Sequence, residues 1–329
     1  MFKKTICIIF LGFFLFPATS HAKPYKVALF IPGQSPFWVL VTNFMQEAAN
    51  DLKIELRIYD AQSNHLLMID QVKEAIYGPN KVDAIVFQNF KMTAPHIIQL
   101  AEKAKVYAYL FNSPVQQESN LGKPREKYKY WLGEMLPDDT GAAAAITTLL
   151  IDEAKIKGKI SVDGKVHLVA ISGRIADTAS IYRIAGIEKA VSTRTDVILH
   201  QVFNTDWGSE DSALKSYGAL SRYPETKVFF SASYRITDGI LDSLSRIHLD
   251  VGKDIFTNSI GLTEDTLNQV AKGEIVATSG GHYIEAAWVL VQIYDYLHGI
   301  DFSNETVSRK TSMPIISKEN VDFFISSSY

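Results

Sequence analysis

One cysteine, Cys7, is all that the 329 residues contain, and it stands inside an apolar leader. Whatever follows the leader has no disulfide, no thiolate nucleophile and no cysteine metal ligand. No small residues precede Cys7, so it does not read as a lipid-attachment site either. The chain has no excess of positive charge. Lysine and arginine number 33 against 36 acids, and loss of Lys3 and Lys4 with the leader leaves 31, moving the formal charge from −3 to −5. A mildly acidic surface of mixed sign gives no electrostatic reason to expect nucleic acid. After the leader no apolar run reaches the roughly 18 residues of a transmembrane helix. Low-complexity linkers are missing as well.

Enzyme signatures are equally scarce. The sequence has no G-x-G-x-x-G, no P-loop and no H-E-x-x-H. G-x-S-x-G fails because Gly33-Gln34-Ser35 continues as Pro36-Phe37. Ser212-Ala213-Leu214-Lys215 fits S-x-x-K by count, but it falls inside a helical pattern with no supporting motif. No spacing of His, Asp and Glu suggests a metal, and nothing suggests a cofactor. No catalytic residue is expected.

What is present begins with the leader. Lys3 and Lys4 precede an apolar stretch from Ile6 to Phe16, and Ser20-His21-Ala22 offers small residues for cleavage. This is the layout of a secretory signal peptide over residues 1–22, too short to span a membrane. The processed chain is expected to start near Lys23 and to work in the periplasm. About 307 residues, in a sequence that is 47% hydrophobic, can bury a large core and commonly divide into two domains.

Short apolar or β-branched runs alternate with helical periodicity along this length. Lys26–Ile31 reads as a buried strand, broken by Pro32-Gly33-Gln34-Ser35-Pro36. Phe37–Asp51 then carries Leu40, Phe44 and Ala48 on one helical face. Strands are predicted at 54–59, 84–88, 107–112 and 128–133, with helices at 65–77 and 94–103 between them. After Pro137-Asp138-Asp139 the pattern restarts. Helices at 140–155, 179–192, 210–221, 237–247, 263–271 and 282–297 alternate with strands at 166–171, 197–203, 228–232, 255–260 and 274–278. Strands separated by such helices imply right-handed crossovers and parallel sheets. Two successive sets imply two doubly wound α/β lobes. Ligands of such sheets sit beyond the carboxyl ends of the strands, so function is sought in the loops there.

Those loops carry a resemblance. Ser35-Pro36-Phe37-Trp38 follows the first strand, Arg183-Ile184-Ala185-Gly186 continues a helix start in the second set, and Asp206-Trp207 follows a later strand. Gly273-Glu274-Ile275-Val276-Ala277-Thr278 precedes the last clear helix. In this order they resemble the type I periplasmic binding proteins, in the branch of ribose- and galactose-binding proteins and the autoinducer-2 receptor. The resemblance runs from Tyr25 to about Gly299. It implies a three-stranded hinge, with crossings near Leu136–Asp138, Ser279–Gly281 and Gly299–Asp301. The N-terminal lobe is then 23–137 plus 281–299, and the C-terminal lobe 138–280 plus 300–329.

The candidate ligand-binding residues are Ser35, Phe37, Trp38, Gln88, Asn112, Arg183, Asp206, Trp207, Tyr234 and His282. Aromatic faces at Phe37 and Trp38 suit the C–H faces of a sugar, or else they are core. Asn112 both donates and accepts, or simply marks an Asn-Ser-Pro turn; Gln88 and Asn89 pose the same choice. Arg183 offers a fork of donors to hydroxyls or a carboxylate, the other reading being an ordinary ion pair. Trp207 reads as ligand contact or lobe packing, and His282 as contact or structural histidine. Ser279-Gly280-Gly281 before a helix fits an anion site or a plain hinge. Arg183→Ala is expected to abolish ligand binding while leaving the unliganded melt nearly unchanged.

Three positions depart from the family pattern. Ser233-Tyr234 replaces an Asn-Asp pair, Gly261 an Asp, and Gly281-His282 a hinge Gln. Such changes imply a different ligand or a lost one. The resemblance implies a monomeric periplasmic solute-binding protein that closes on a small polar, carbohydrate-like ligand and presents it to an ABC-type permease. The alternative is a sensor that reports the ligand to a membrane histidine kinase without transport. Sugar-responsive repressors share the fold, but they need an N-terminal helix-turn-helix where this leader stands.

Overall fold

The computed structural model describes residues 23–115, 120–304 and 306–326. The signal-peptide reading falls on residues 1–22, outside the described residues. No described helix is long and apolar enough to cross a membrane.

The chain builds two parallel α/β sheets. The first contains β1 (Lys26–Ile31), β2 (Glu55–Asp60), β3 (Ala84–Phe87), β4 (Tyr107–Phe111), β5 (Trp131–Pro137) and β11 (Ser308–Thr311), in the order β11-β5-β4-β3-β1-β2. Its inner strands are largely apolar because both faces are covered, Lys26 at the start of β1 and Glu134 within β5 being the charged exceptions. Along β1, Ala28 and Phe30 face one core, which includes side chains of α2 (His65–Tyr77) and α3 (Ala94–Ala104). Val27, Leu29 and Ile31 face the other, which includes α1 (Pro36–Leu52) and α9 (Glu285–Leu297). The period-two alternation survives inside a run that looks uniformly hydrophobic.

The second sheet contains β6 (Val166–Ser172), β7 (Val197–Asn204), β8 (Val228–Ser231) and β9 (Phe256–Thr257), in the order β7-β6-β8-β9. Around it lie α4 (Asp139–Ile156), α5 (Thr178–Ser192), α6 (Ser209–Arg222), α7 (Tyr234–Arg246) and α8 (Glu264–Lys272). A single apolar core joins β6, β8 and α4. Beside it, β10 (Ala277–Ser279) pairs antiparallel with β12 (Ile315–Ser317), and α10 (Val321–Ser326) packs on α8.

The structure departs from the sequence reading in several places. α1 buries Val41, Met45 and Ala49 rather than the face of Leu40, Phe44 and Ala48, and Phe44 is exposed. β10 spans Ala277–Ser279 rather than 274–278. β5 spans Trp131–Pro137 rather than 128–133, because Tyr128 accepts from the Trp131 amide at 3.3 Å in a turn before the strand. β9 shrinks to two residues because Asn258 takes over as a side-chain bridge. Its Oδ1 accepts from the Ser231 amide and its Nδ2 donates to the Ser231 carbonyl, both at 2.9 Å. The third crossing does not fall at Gly299–Asp301. The chain stays with the first sheet through β11, which pairs with β5 from Ser308↔Glu134 to Thr311↔Pro137, and crosses only between Thr311 and Ile315.

Candidate functional site

The ten candidate ligand-binding residues all line one cavity of about 350 Å³, at the carboxyl ends of the strands and between the two sheets, whereas Ser279, Gly280 and Gly281 lie outside its lining. Ser35 follows β1 and caps α1, its Oγ accepting from the Trp38 amide at 3.4 Å. The cap presents Phe37 and Trp38 in the first turn. The two rings meet edge to face at 5.1 Å, and Trp38 leans on the buried Phe111 at 6.1 Å. Both rings are half-buried, so each is core on one side and wall on the other. The two readings of these residues were not exclusive.

Gln88 and Asn112 end β3 and β4 side by side. Asn112 sits in the left-handed region at φ +62°, a conformation Asn tolerates better than most residues, and its Nδ2 donates to Gln88 Oε1 at 3.0 Å. That single bond fixes both amides and leaves the Gln88 Nε2 and Asn112 Oδ1 valences to the cavity. Asn89 is structural in its bonding. It donates to the Pro114 carbonyl at 2.8 Å and accepts from the Ala94 amide at 3.0 Å, starting α3.

The second wall is already engaged with itself. Arg183, only 5% exposed, donates from Nε and Nη2 to Asp139 Oδ1, both at 2.8 Å, and from Nη1 to the Ala232 carbonyl at 2.6 Å. Three of its five N–H groups are used, and two remain. Burial pushes the Asp139 carboxyl up, and Arg183 opposes that. Arg183 is thus both ion pair and cavity wall, and the expectation that its removal leaves the unliganded melt unchanged is corrected: it holds a buried carboxylate.

Trp207 occupies the left-handed region at φ +73°, unusual for so large a residue. Two features hold it there. Its Nε1 donates to Asp177 Oδ2 at 2.7 Å, and Gly173 lies under the indole so closely that a Cβ would sit 1.9 Å from it. Asp206 spends Oδ1 on the Gly208 amide at 2.7 Å, ordering the entry to α6.

Tyr234 and Gly261 turn out to be one change rather than two. Gly261 has φ +148°, and a Cβ there would lie 2.6 Å from the Tyr234 ring. The tyrosine occupies the space that any side chain at 261 would need. Burial pushes its phenol up, while the backbone N–H of Phe37, on the opposite wall, works the other way.

His282 lies 4.9 Å from the Phe37 ring. Its Nδ1 is buried without a hydrogen-bond partner, and burial pushes the imidazole down to about 3, the Arg183 charge adding to this. It is neutral at physiological pH. Beneath it, Glu285 is fully buried and bonded to the Thr311 hydroxyl, with Oε2 unpartnered; burial pushes its carboxyl up to about 8.

Sequence reasoning missed several wall residues, among them Lys91, Arg174, Asp177 and Arg235. Lys91 and Met92 are consecutive left-handed residues, φ +45° and +64°, and Lys91 Nζ donates to the Ser63 carbonyl at 3.1 Å. No residue type there announces such a turn. Of the wall cations Lys91, Arg174, Arg183 and Arg235, Arg183 is paired with Asp139 and Arg174 lies 3.8 Å from Asp177, which leaves Lys91 and Arg235 against Asp206 on the lining.

The profile of a family described as periplasmic binding protein domain matches residues 27–299. A periplasmic sugar-binding protein from Pseudomonas fluorescens is 24% identical with TM-score 0.81, over 92% of this chain and 90% of that one. A galactofuranose binding protein is 16% identical with TM-score 0.80, over 92% and 98%. The periplasmic component of the arabinose ABC transporter from Shewanella sp. ANA-3, bound to α- and β-L-arabinofuranose, is 17% identical with TM-score 0.79, over 92% and 95%. At such identities the likeness establishes the fold. No curated protein sequence matches the chain.

Proposed function

The chain belongs to the periplasmic binding protein family, and from that premise we propose that it is a periplasmic receptor for one monosaccharide or sugar-like polyol, presented to an ABC-type importer. The observation that carries this reading is the composition of the cavity. Aromatic faces and free amide valences come from one sheet, fixed guanidinium and indole groups from the other, around a space of about 350 Å³. That volume lies at the small end of ligand pockets, on the scale of a single sugar ring.

The mechanism follows from the two walls. Phe37 and Trp38 cover the apolar face of a ring, Gln88 and Asn112 exchange hydrogen bonds with its hydroxyls, and the two spare N–H groups of Arg183 reach its oxygens. The spare N–H donors of Arg183 and Gln88 favour a ligand rich in acceptor oxygens. A ligand held by both walls has contacts that exist only when they meet, so it shifts an open–closed equilibrium by that differential affinity. We take the hinged lobes to be 23–137 with 281–311, and 138–280 with 312–326. The cavity's carboxylates serve structure, Asp206 at a helix entry and Asp177 on the indole, and His282 is neutral and half-sandwiched. This arrangement supports binding without turnover.

A thermal-shift screen of pentoses, hexoses, furanosides, polyols and small sugar acids, followed by calorimetry, tests the reading. One compound should bind at one per chain, raise the melting temperature, and be recovered unchanged, with small-angle scattering showing compaction. Consumption of the compound, or saturable binding with no change in shape, defeats it.

A further inference from the structure

Far from the cleft, at the amino-terminal end of the second sheet, two histidines and a glutamate converge. His167 is the second residue of β6, His200 stands midway along the edge strand β7, and Glu225 lies in the turn before β8. His167 Nδ1 is 2.8 Å from His200 Nε2, and Glu225 Oε1 is 3.6 Å from the first and 3.5 Å from the second. We propose that these three atoms form a zinc site, with His167 Nδ1, His200 Nε2 and Glu225 Oε1 as protein ligands and a solvent molecule completing a tetrahedron.

The triangle has the right size. The point equidistant from its corners lies about 1.9 Å from each, and lifting that point about 0.7 Å out of the plane brings every distance to about 2.05 Å, the Zn–N and Zn–O bond length. The surroundings are those of a ligated histidine. His167 Nε2 lies 3.2 Å from both oxygens of Asp163, so a proton held there leaves Nδ1 bare and aimed at the cluster. A carboxylate behind a ligating imidazole fixes its tautomer and orientation in this way. His200 stacks on Tyr223 at 4.4 Å, and the turn carrying Glu225 is tied by the Thr226 amide donating to the Tyr223 carbonyl at 3.0 Å. His167 is nearly buried, at 7% side-chain exposure, while Glu225 at 39% leaves the open side to solvent.

Imidazole nitrogens with one carboxylate suit zinc among the common divalent ions, whereas magnesium and calcium prefer all-oxygen shells. The ligands lie 33 and 25 residues apart, on two strands and a turn, which is why no spacing in the sequence suggests them. A strand rises about 3.3 Å per residue, so the site is about 20 Å from the cleft along β6 and independent of its occupant. Bound zinc would staple the edge strand β7 to β6 and to the loop feeding β8.

The test is a zinc titration of the untagged protein against a chromogenic chelator, with the visible absorption of the cobalt(II) form as a second readout. One equivalent should bind, cobalt(II) should give the intense bands of a four-coordinate site, and zinc should raise the melting temperature. His200→Ala should abolish the equivalent. Glu225→Gln, at a half-exposed turn position, should weaken it at least about tenfold, and Asp163→Asn by about 10- to 100-fold. Zinc held equally well by wild type and His200→Ala overturns the site, leaving a proton-sharing histidine pair only. If His200→Ala fails to fold, an unchanged zinc affinity in Glu225→Gln overturns it instead.

Discussion

Two amides of the first-sheet wall, Gln88 and Asn112, keep valences open, whereas the second-sheet wall has partnered most of its polar groups before any ligand arrives. Gln88 and Asn112 share one hydrogen bond and keep their other valences free. Arg183, Asp206 and Trp207 are each held by protein, through Asp139, Gly208 and Asp177 respectively. The difference follows from residue chemistry. Amides at strand ends can be oriented by one mutual hydrogen bond, but a buried guanidinium or indole carries N–H donors that need protein partners wherever no ligand supplies them. Substitution in the first wall should therefore register in affinity, and substitution in the second in stability as well.

Arg183→Ala puts the most pressure on this contrast. It strips a buried carboxylate of its cation, and removing one member of a buried pair costs about 3–5 kcal/mol, less whatever Asp139 recovers by taking up a proton. Urea denaturation of the unliganded protein should show the loss; an unchanged midpoint would mean the second wall is not held as described. Phe37→Ala is the first-wall counterpart. It should weaken ligand binding by about 10- to 100-fold, on the order of 1.5–3 kcal/mol of aromatic burial, with a smaller stability change than Arg183→Ala. A larger stability loss than that of the arginine variant would reverse the comparison.

Gly261→Ala probes how tightly Tyr234 is seated. The Cβ meets the ring and the backbone conformation disfavours a side chain, so a cost of about 1–3 kcal/mol is expected. Adding Tyr234→Ala should return only the steric part, measurable as non-additive denaturation midpoints.

A pH-dependent effect concerns the hinge side of the cleft. Glu285 is raised from its ordinary value to about 8 in the folded chain, so between those values the native state binds the extra proton. Stability from this group is complete below about pH 4.5 and is lost as pH rises through 8. Glu285→Gln should flatten that fall by about 3 kcal/mol between pH 5 and 8, at about 1.4 kcal/mol per pH unit, as thermal melts across pH would show. An identical pH profile in the variant would place the proton elsewhere.

Much of this was legible in the sequence. Helix α2 runs from His65 to Tyr77 as its periodicity predicts, and the strands β1 and β6 start where their apolar runs start. The ten candidate ligand-binding residues line one cavity, because strand ends in a parallel sheet share an edge. The tail after Gly299 stayed silent. β11 and β12 are short, with Ser308–Thr311 polar throughout, and only pairing with β5 and β10 makes them strands.

The sequence by itself determined the alternation of strand and helix, since hydrophobic period and turn residues are local properties that each segment carries alone. It also fixed which strand ends would bear aromatic, amide and guanidinium groups. Tertiary structure alone decided what those groups do. Whether Arg183 has a buried partner, whether Tyr234 fills the space over Gly261, and whether His167 meets His200 and Glu225 are matters of distance between segments remote in the chain. Such distances are set by how the sheets pack, which no single stretch encodes.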